Sequence, residues 1–318
     1  MAEAPLVSAV IATYNRAYIV GEAIDSILAQ TYPRVEVIVV DDGSKDGTPA
    51  VLSERYGDRI RLISQKNAGP AAARNRGVQE ARGDIITFLD SDDLWLPTYI
   101  ERQVSVLNRG GASMPCSLSN ADLRIANESR GTAFQLARMF PAEREGIWLN
   151  PADVLASRYV MFNQMVAIRR QVLERIGGFD TTFKYGEDCD LELRLSLEGP
   201  WGFVRDPLVI YREGSANSFS QRAAKDEVVL KQCIVSMRER ALTFIEGKPQ
   251  FRACRKYMRW ELSQMRLELT AARMAANPTW ISGLTSKLLS LGVKLGKFLY
   301  RRSPWYPRMA VATLRPAI

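Results

Sequence analysis

Three carboxylates, Asp90, Asp92 and Asp93, fall within four positions at the end of the apolar run DIITFLDSDD. Negative charge at the end of a buried strand is costly unless something positive lies among it. A hard divalent cation, Mg²⁺ or Mn²⁺, suits such oxygens and shares its remaining positions with substrate phosphates and water. If strand geometry persists through the run, the Asp-x-Asp spacing puts Asp90 and Asp92 on one side, one to hold a sugar hydroxyl and the other the metal. A second acidic group, Glu187-Asp188 followed by Asp190 and Glu192, opens a helix-compatible segment further on. Acids there can serve the helix dipole. They can equally supply a general base that takes the proton of an attacking hydroxyl. Spacing alone leaves both readings open.

Composition narrows the chemistry. The 318 residues include no histidine, which removes Ser-His-Asp and Cys-His machinery, HExxH zinc sites and any histidine base. Cys116, Cys189, Cys233 and Cys254 are scattered without a CxxC spacing, against a zinc cluster or a disulfide framework. A hydrophobic fraction of 47% is ample for a core. No apolar run reaches transmembrane length and the N-terminus lacks a secretory pattern, so a cytosolic protein is expected.

The elements that must position these acids read as an alternation. Apolar, β-rich runs at Leu6–Ala12, Val35–Val40, Arg59–Ser64 and Asp84–Leu89 predict strands, and the segments Tyr18–Gln30, Thr48–Arg55, Pro70–Glu80 and Thr98–Leu107 predict helices. Continuous apolar strands separated by helices predict an α/β protein with a mostly parallel, Rossmann-like sheet flanked by helices. Such sheets bind ligands at the carboxyl ends of their strands. The polar stretches TYNR, DDGSKDGT, QKNAGPAAARNRG and DSDD all fall on that rim. Any one of them could be a cap or turn; four on one rim point to a site. The segment Arg124–Trp148 has little periodicity and is expected to form a flexible acceptor-side loop. A strand and short helix are expected within Asn163–Asp180. The Leu191–Leu197 stretch reads as a helix stopped by Glu198-Gly199-Pro200, and Pro207–Ser218 closes the body.

Three stretches together carry a family resemblance: VSAVIATYNRAYIVGEAIDSILAQTYPRVEVIVVDDGSKDGT, NAGPAAARNRGVQEARGDIITFLDSDD and IGGFDTTFKYGEDCDLELRL. In order and spacing they resemble the family 2 glycosyltransferases, which use the nucleotide-diphospho-sugar transferase (GT-A) fold. The resemblance implies roles residue by residue. Tyr14 would pack on the nucleotide base, helped by the Thr13 backbone, and Asp41, or else Asp42, would bond the base edge. Arg74 would approach the base or phosphates, Asp90 the ribose, and Asp92 the metal on the diphosphate. Asp188 would be the general base, with Glu187 beside it on acceptor or sugar. The family often carries a histidine where this chain has Tyr211-Arg212-Glu213-Gly214. Three alternatives follow: Arg212 on phosphate, Glu213 on the metal, or weak metal dependence.

The implied activity is inverting transfer of a sugar from a nucleotide donor, UDP-linked by expectation, to a glycan or lipid-linked hydroxyl. A nucleotidyltransferase would need a Gly-rich basic loop after the first strand, which ATYNRAYIVG is not. A degenerate sugar-nucleotide-binding or scaffold protein is the other rival. Residues 1–219 are expected to form the catalytic domain and 220–318 a helical, basic extension. From Gln221 onward 19 Lys/Arg face 6 Asp/Glu, a net +13 against +8 for the whole chain. Helices are predicted over Ala223–Ile245, Gln250–Ala276 and Trp280–Tyr300. On the last, Trp280, Leu284, Leu288, Leu291, Leu295 and Phe298 share a face beside Lys287, Lys294, Lys297 and Arg301, with Leu289 and Val293 off the stripe. That pattern suits an anionic membrane surface at residues 280–302 and a peripheral location at its cytoplasmic face. Nothing indicates nucleic acid.

Overall fold

The structure, a computed structural model, describes residues 4–155, 163–213, 225–276, 286–294, 297 and 311–313. The first apolar runs become β1 (Val7–Thr13), β2 (Val35–Asp41), β3 (Arg61–Ser64) and β4 (Ile85–Phe88), paired in parallel in the order β3-β2-β1-β4. Helices α1 (Val20–Leu28), α2 (Thr48–Tyr56) and α3 (Pro70–Glu80) connect them. In α1 the buried residues Val20, Ala23, Ile24 and Ile27 fall on one stripe, which seats the helix on the sheet. In α3 the packing face carries Ala71, Ala73, Arg74 and Gly77. A Cβ on Gly77 would overlap Val10 Cγ1, so glycine sets how closely α3 approaches β1.

Beyond β4 the sheet is mixed. Strand β5 (Leu94–Trp95) and helix α4 (Tyr99–Gly110) precede β6 (Cys116–Ile125) and β7 (Glu128–Thr132). Then come α5 (Ala133–Leu136), β8 (Glu145–Trp148), α6 (Pro151–Leu155), β9 (Val166–Arg169), α7 (Arg170–Arg175), α8 (Glu187–Ser196) and β10 (Trp201–Glu213). Strand β9 is antiparallel to both β4 and β6, and β10 runs parallel to β6 and antiparallel to β8 and β5. Strand β11 (Val311–Thr313) closes the edge against β8.

Two expectations are corrected. Arg124–Trp148 is not a loop without structure: β6 and β7 form an antiparallel hairpin, turning at Ala126 (φ 48°) and Asn127 (φ 69°). A capping box joining Thr132 to Gln135 then starts α5. The Asp-x-Asp segment is not strand either. Strand β4 stops at Phe88, and the Asp93 amide donates to the Asp90 carbonyl at 3.1 Å, so the acids line a turn.

After the body come α9 (Glu227–Ile245) and α10 (Arg252–Ala276), long helices whose pairs Arg266–Glu239 and Lys231–Glu268 set them antiparallel. Ala241, Ile245, Cys254, Tyr257 and Met258 from this pair join the same apolar core as the sheet. Residues 286–294 are helical. There Val293 is buried and Leu289 half-buried, while Leu288 and Leu291 are 61% and 65% exposed and Lys287 and Lys294 point to solvent. The expected stripe therefore faces outward where it is described. Trp280, Leu284, Leu295, Phe298 and Arg301 lie outside the described residues. No helix among the described residues is long and apolar enough to cross a membrane.

Candidate active site

Parallel register brings the ends of β1 and β2 level, with Thr13 opposite Asp41. Both are almost fully buried, at 3% and 1% exposure. Among the described residues Thr13 Oγ1 and Asp41 Oδ1 have no hydrogen-bond partner, while Asp41 Oδ2 accepts from the Ser44 amide at 3.1 Å. A buried hydroxyl and a buried carboxylate oxygen left unpaired at a strand end are a matched donor and acceptor for a ligand. Tyr14 stands next to them, 38% exposed. Its loop is sewn to the one after β2. Asn15 N–H donates to Ser44 Oγ at 2.8 Å, Lys45 N–H to Asn15 Oδ1 at 2.8 Å, and Arg16 N–H to Thr48 Oγ1 at 3.1 Å.

Asp42 does a different job. Its carboxylate accepts from Gln65 Nε2 at 2.8 Å and from the amides of Ala68 and Gly69 at 2.9 and 2.8 Å. It holds the loop that leads into α3 and is not turned to the rim beside Thr13. Arg74 is directed at two acids. Nearly buried on α3, it donates to Asp90 Oδ1 at 2.8 Å and to Glu187 Oε1 at 2.7 Å, with its guanidinium 5.4 Å from the Phe179 ring centre. Burial opposes its charge, but Asp90 and Glu187 outweigh that and hold it protonated. Glu187 is itself pushed up from the ordinary glutamate range by burial and by the neighbouring Asp188, with Arg74 opposing. One guanidinium thus joins the β4 turn to the first turn of α8, which brings Asp90, Glu187 and Asp188 into one site. Asp188 is only half-buried and accepts from the Cys189 amide at 2.8 Å.

Asp92 lies in the same turn, its Oδ2 3.5 Å from Arg16 Nη2. The third acid, Asp93, is buried. Its carboxylate accepts from Gln164 Nε2 at 2.5 Å and from the Arg212 amide at 2.7 Å, which ties β10 to the turn. Burial first, then the charges of Asp90 and Asp92, push its carboxyl well up. Arg212 donates through Nε to the Asp92 carbonyl and through Nη1 to Glu22 at 2.5 Å, and its buried Nη2 has no partner among the described residues. Burial first, and then Asp93, Asp90, Glu213 and Asp92, push the Tyr211 hydroxyl up. Arg16 and Gln164 gave no separate signal in the sequence: the first sits in a stretch legible only as polar, the second in one legible only as strand.

The acids of the β4 turn are the donor set against which a divalent cation can be tested. No group of three or more acidic, cysteine or histidine side chains among the described residues could cage an ion. Asp92 alone fits Mg²⁺ or Mn²⁺ only where substrate phosphates and water complete the coordination, which is the usual habit of Mg²⁺.

The sequence profile described as Glycosyl transferase family 2 matches residues 8–175, more than half of the chain. An uncharacterized glycosyltransferase of Rickettsia typhi is 36% identical over 195 residues, covering 59% of this chain and 57% of that protein. The succinoglycan biosynthesis protein ExoO of Rhizobium meliloti is 36% identical over 197 residues, covering 58% and 53%. The chain spans about half the length of the curated relatives it matches. Among solved structures, S. aureus TarS residues 1–349 in complex with UDP-GlcNAc superposes with a TM-score of 0.58 at 17% identity, covering 92% of each chain. The mannosyltransferase PcManGT of Pyrobaculum calidifontis, solved with GDP-Man and Mn²⁺, gives 0.58 at 23% identity, covering 95% of this chain and 82% of that one. The fold is the GT-A fold, a mixed sheet with flanking helices and a helical C-terminal region.

Proposed function

The chain belongs to glycosyl transferase family 2, and on that premise we propose that it moves a sugar from a nucleoside-diphosphate donor of the UDP-sugar class to a hydroxyl of a glycan or lipid-linked acceptor, with inversion. The observation that carries the reading is the Arg74 bridge, which sets donor-side Asp90 and acceptor-side Glu187 on either side of one guanidinium. Thr13, Tyr14 and Asp41 take the base, its polar edge meeting the unpaired Thr13 Oγ1 and Asp41 Oδ1. Asp90 takes the ribose. Asp92 would hold Mn²⁺ or Mg²⁺, which would supply positive charge to offset that developing on the leaving group. Arg16 and Arg212, on the rim beside Asp92, add positive charge there.

The acceptor oxygen attacks the anomeric carbon as Asp188 takes its proton. The carbon–oxygen bond to the diphosphate breaks, and the electron pair leaves with the nucleotide. This single displacement needs no protein nucleophile, in keeping with a chain that lacks histidine. The similarity to ExoO supports cell-surface polysaccharide as the product class. Exposed Leu288 and Leu291 beside Lys287 and Lys294 favour attachment at the cytoplasmic face of an anionic membrane, where a lipid-linked acceptor would lie.

Thermal unfolding with UDP and with GDP, each with and without Mn²⁺, tests the donor site, since a ligand of the folded state alone raises Tm. UDP should raise Tm in an Mn²⁺-dependent way that is lost in Asp92→Ala. Asp188→Asn should keep the shift and lose turnover. A folded chain that responds to no nucleoside diphosphate would overturn the reading.

A further inference from the structure

The segment that delivers Glu187 and Asp188 is poorly fixed by its own sequence. Gly177, Gly178 and Gly186 all take left-handed φ values, and α8 begins at Gly186 without a side-chain cap. Its first turn collects Glu187, Asp188 and Asp190, three like charges. One side of this segment is held by α3: Asn75 Nδ2 donates to the Phe179 carbonyl at 2.7 Å, and the Phe179 amide donates to Asn75 Oδ1 at 2.8 Å.

The other side is held from the C-terminal region. Arg240 on α9 donates through Nη2 to Asp190 Oδ1 at 2.6 Å and through Nη1 to Asp180, and its guanidinium lies 4.7 Å from the Phe183 ring centre. Asp190 is only 2% exposed, and its second oxygen is taken by Arg194, which also donates to the Ile176 and Gly178 carbonyls at 2.7 Å each. Just before α9, Asp226 accepts from Lys184 Nζ at 2.6 Å and from the Tyr185 hydroxyl at 2.7 Å. Between these two anchors Met237 covers Gly186 so closely that a Cβ there would stand 2.9 Å from its terminal methyl. The same helix therefore touches both ends of the Asp180–Gly186 loop and its middle.

We propose that α9 is a splint for the acceptor-side acids, with Arg240 as its principal positioning residue. Arg240 touches neither donor nor acceptor; it acts by fixing where the first turn of α8 presents Asp188. The catalytic part of this inference rests on the glycosyl-transfer reading, while the mechanical part stands by itself. Among the described residues the bonds of Asp41 and Asp90 run to Ser44 and Arg74 and not to α9, so loss of the splint should spare donor binding and slow turnover.

The test compares the full chain with Arg240→Ala, Arg240→Lys and a control, Arg259→Ala, which removes an exposed pair with Glu246. Hydrogen exchange reads Asp180–Ser196, thermal shift reads UDP binding, and UDP release is measured from UDP-GlcNAc and GDP release from GDP-mannose. In Arg240→Ala, exchange over Asp180–Asp190 should quicken on the order of tenfold, as expected for a lost bond between charged groups. Nucleotide release should slow by a similar factor, with KM and the UDP shift held. Arg240→Lys should restore most of both, and the control should change neither. Unchanged exchange in Arg240→Ala would overturn the proposal, as would quickened exchange with unaltered turnover. Equal quickening over β1–β4 would also overturn it, reducing Arg240 to a general stabiliser. A wild-type chain that binds no nucleotide would remove the parent reading, and the exchange comparison would still decide whether α9 holds α8.

Discussion

Replacing Arg74 by methionine keeps much of the side-chain stem and removes the guanidinium that joins Asp90 to Glu187. Breaking a buried pair by removing one partner costs about 3–5 kcal/mol, because the remaining charge is left uncompensated. Here the cost lies mainly on one side. The Glu187 side chain is 5% exposed, whereas that of Asp90 keeps 32% and is better screened by water. A loss of roughly 3 kcal/mol at neutral pH is therefore expected. Its pH dependence is the sharper test. Burial and Asp188 already hold the Glu187 carboxyl above its ordinary range against the pull of Arg74, and without Arg74 it rises further. A carboxyl whose folded pKa exceeds its unfolded value takes up a proton on folding, so it favours the folded state at low pH and opposes it as pH rises through the folded pKa. The gap between wild type and Arg74→Met should thus be largest near pH 8 and shrink toward about pH 5. Urea unfolding followed by tryptophan fluorescence, with m compared between proteins, measures it. Adding Glu187→Gln should recover most of the loss. A cost below about 1 kcal/mol at neutral pH, or one unchanged over this range, would refute the electrostatic account.

Neighbouring aspartates should separate in function. Asp41→Asn is expected to weaken UDP binding about tenfold or more with little change in Tm, while Asp42→Ala should cost roughly 1–3 kcal/mol by orphaning the Gln65, Ala68 and Gly69 donors; paired UDP titrations and urea melts decide it. Gly77→Ala should destabilise by about 1–3 kcal/mol through overlap with Val10, and the double variant Gly77→Ala/Val10→Ala should recover part of that loss in the same melts. At acid pH, burial raises the Asp180 carboxyl but hydrogen bonds from Thr182 and Arg240 outweigh it and bring it to about 2. The stability it contributes is present above about pH 4 and is lost as pH falls toward about 2, so the acid limb of an unfolding curve should be shallower in Arg240→Ala.

The sheet was legible where its strands are buried on both faces, since β1, β2 and β4 then read as unbroken apolar runs. Strand β6 was not legible, because Ser117 and Asn120 lie inside it, buried and satisfied by the Gln103 and Arg205 carbonyls. Hydropathy registers such residues as surface. Strand β7 (ESRGT) is mostly exposed and carries no apolar signal, and β11 is defined only by its distant partner β8. In the site, residue types were legible and their directions were not. Asp41 ends β2 opposite Thr13, and one step further the backbone turns Asp42 toward the loop at Ala68. Likewise a long arginine one turn into α3 could reach the base loops or the β4 turn. Only the position of Glu187, over a hundred residues away in sequence, decides that Arg74 turns to the acids.

That decision follows from the change in strand direction. Parallel strands offer a ligand only the rim at their carboxyl ends. Strand β9 runs against β4, with Arg169 opposite Ile85, so it ends at the far side of the sheet from Asp90. The Arg170 amide accordingly bonds to the Asp84 carbonyl, at the start of β4. The chain must then climb the length of the sheet before α8 can place Glu187 and Asp188 at the rim, and α7 with the Gly177–Gly186 loop makes that climb. Its route passes α3, which starts at the rim after β3 and runs away from it. Asn75 meets the climbing chain at Phe179, and Arg74, nearer the rim, meets it at Glu187. The residue that joins the two halves of the site therefore comes from a helix and not from a strand end. Three residues further along the same helix Gly77 packs against Val10 of β1, so the helix that carries the bridge is itself seated closely on the sheet.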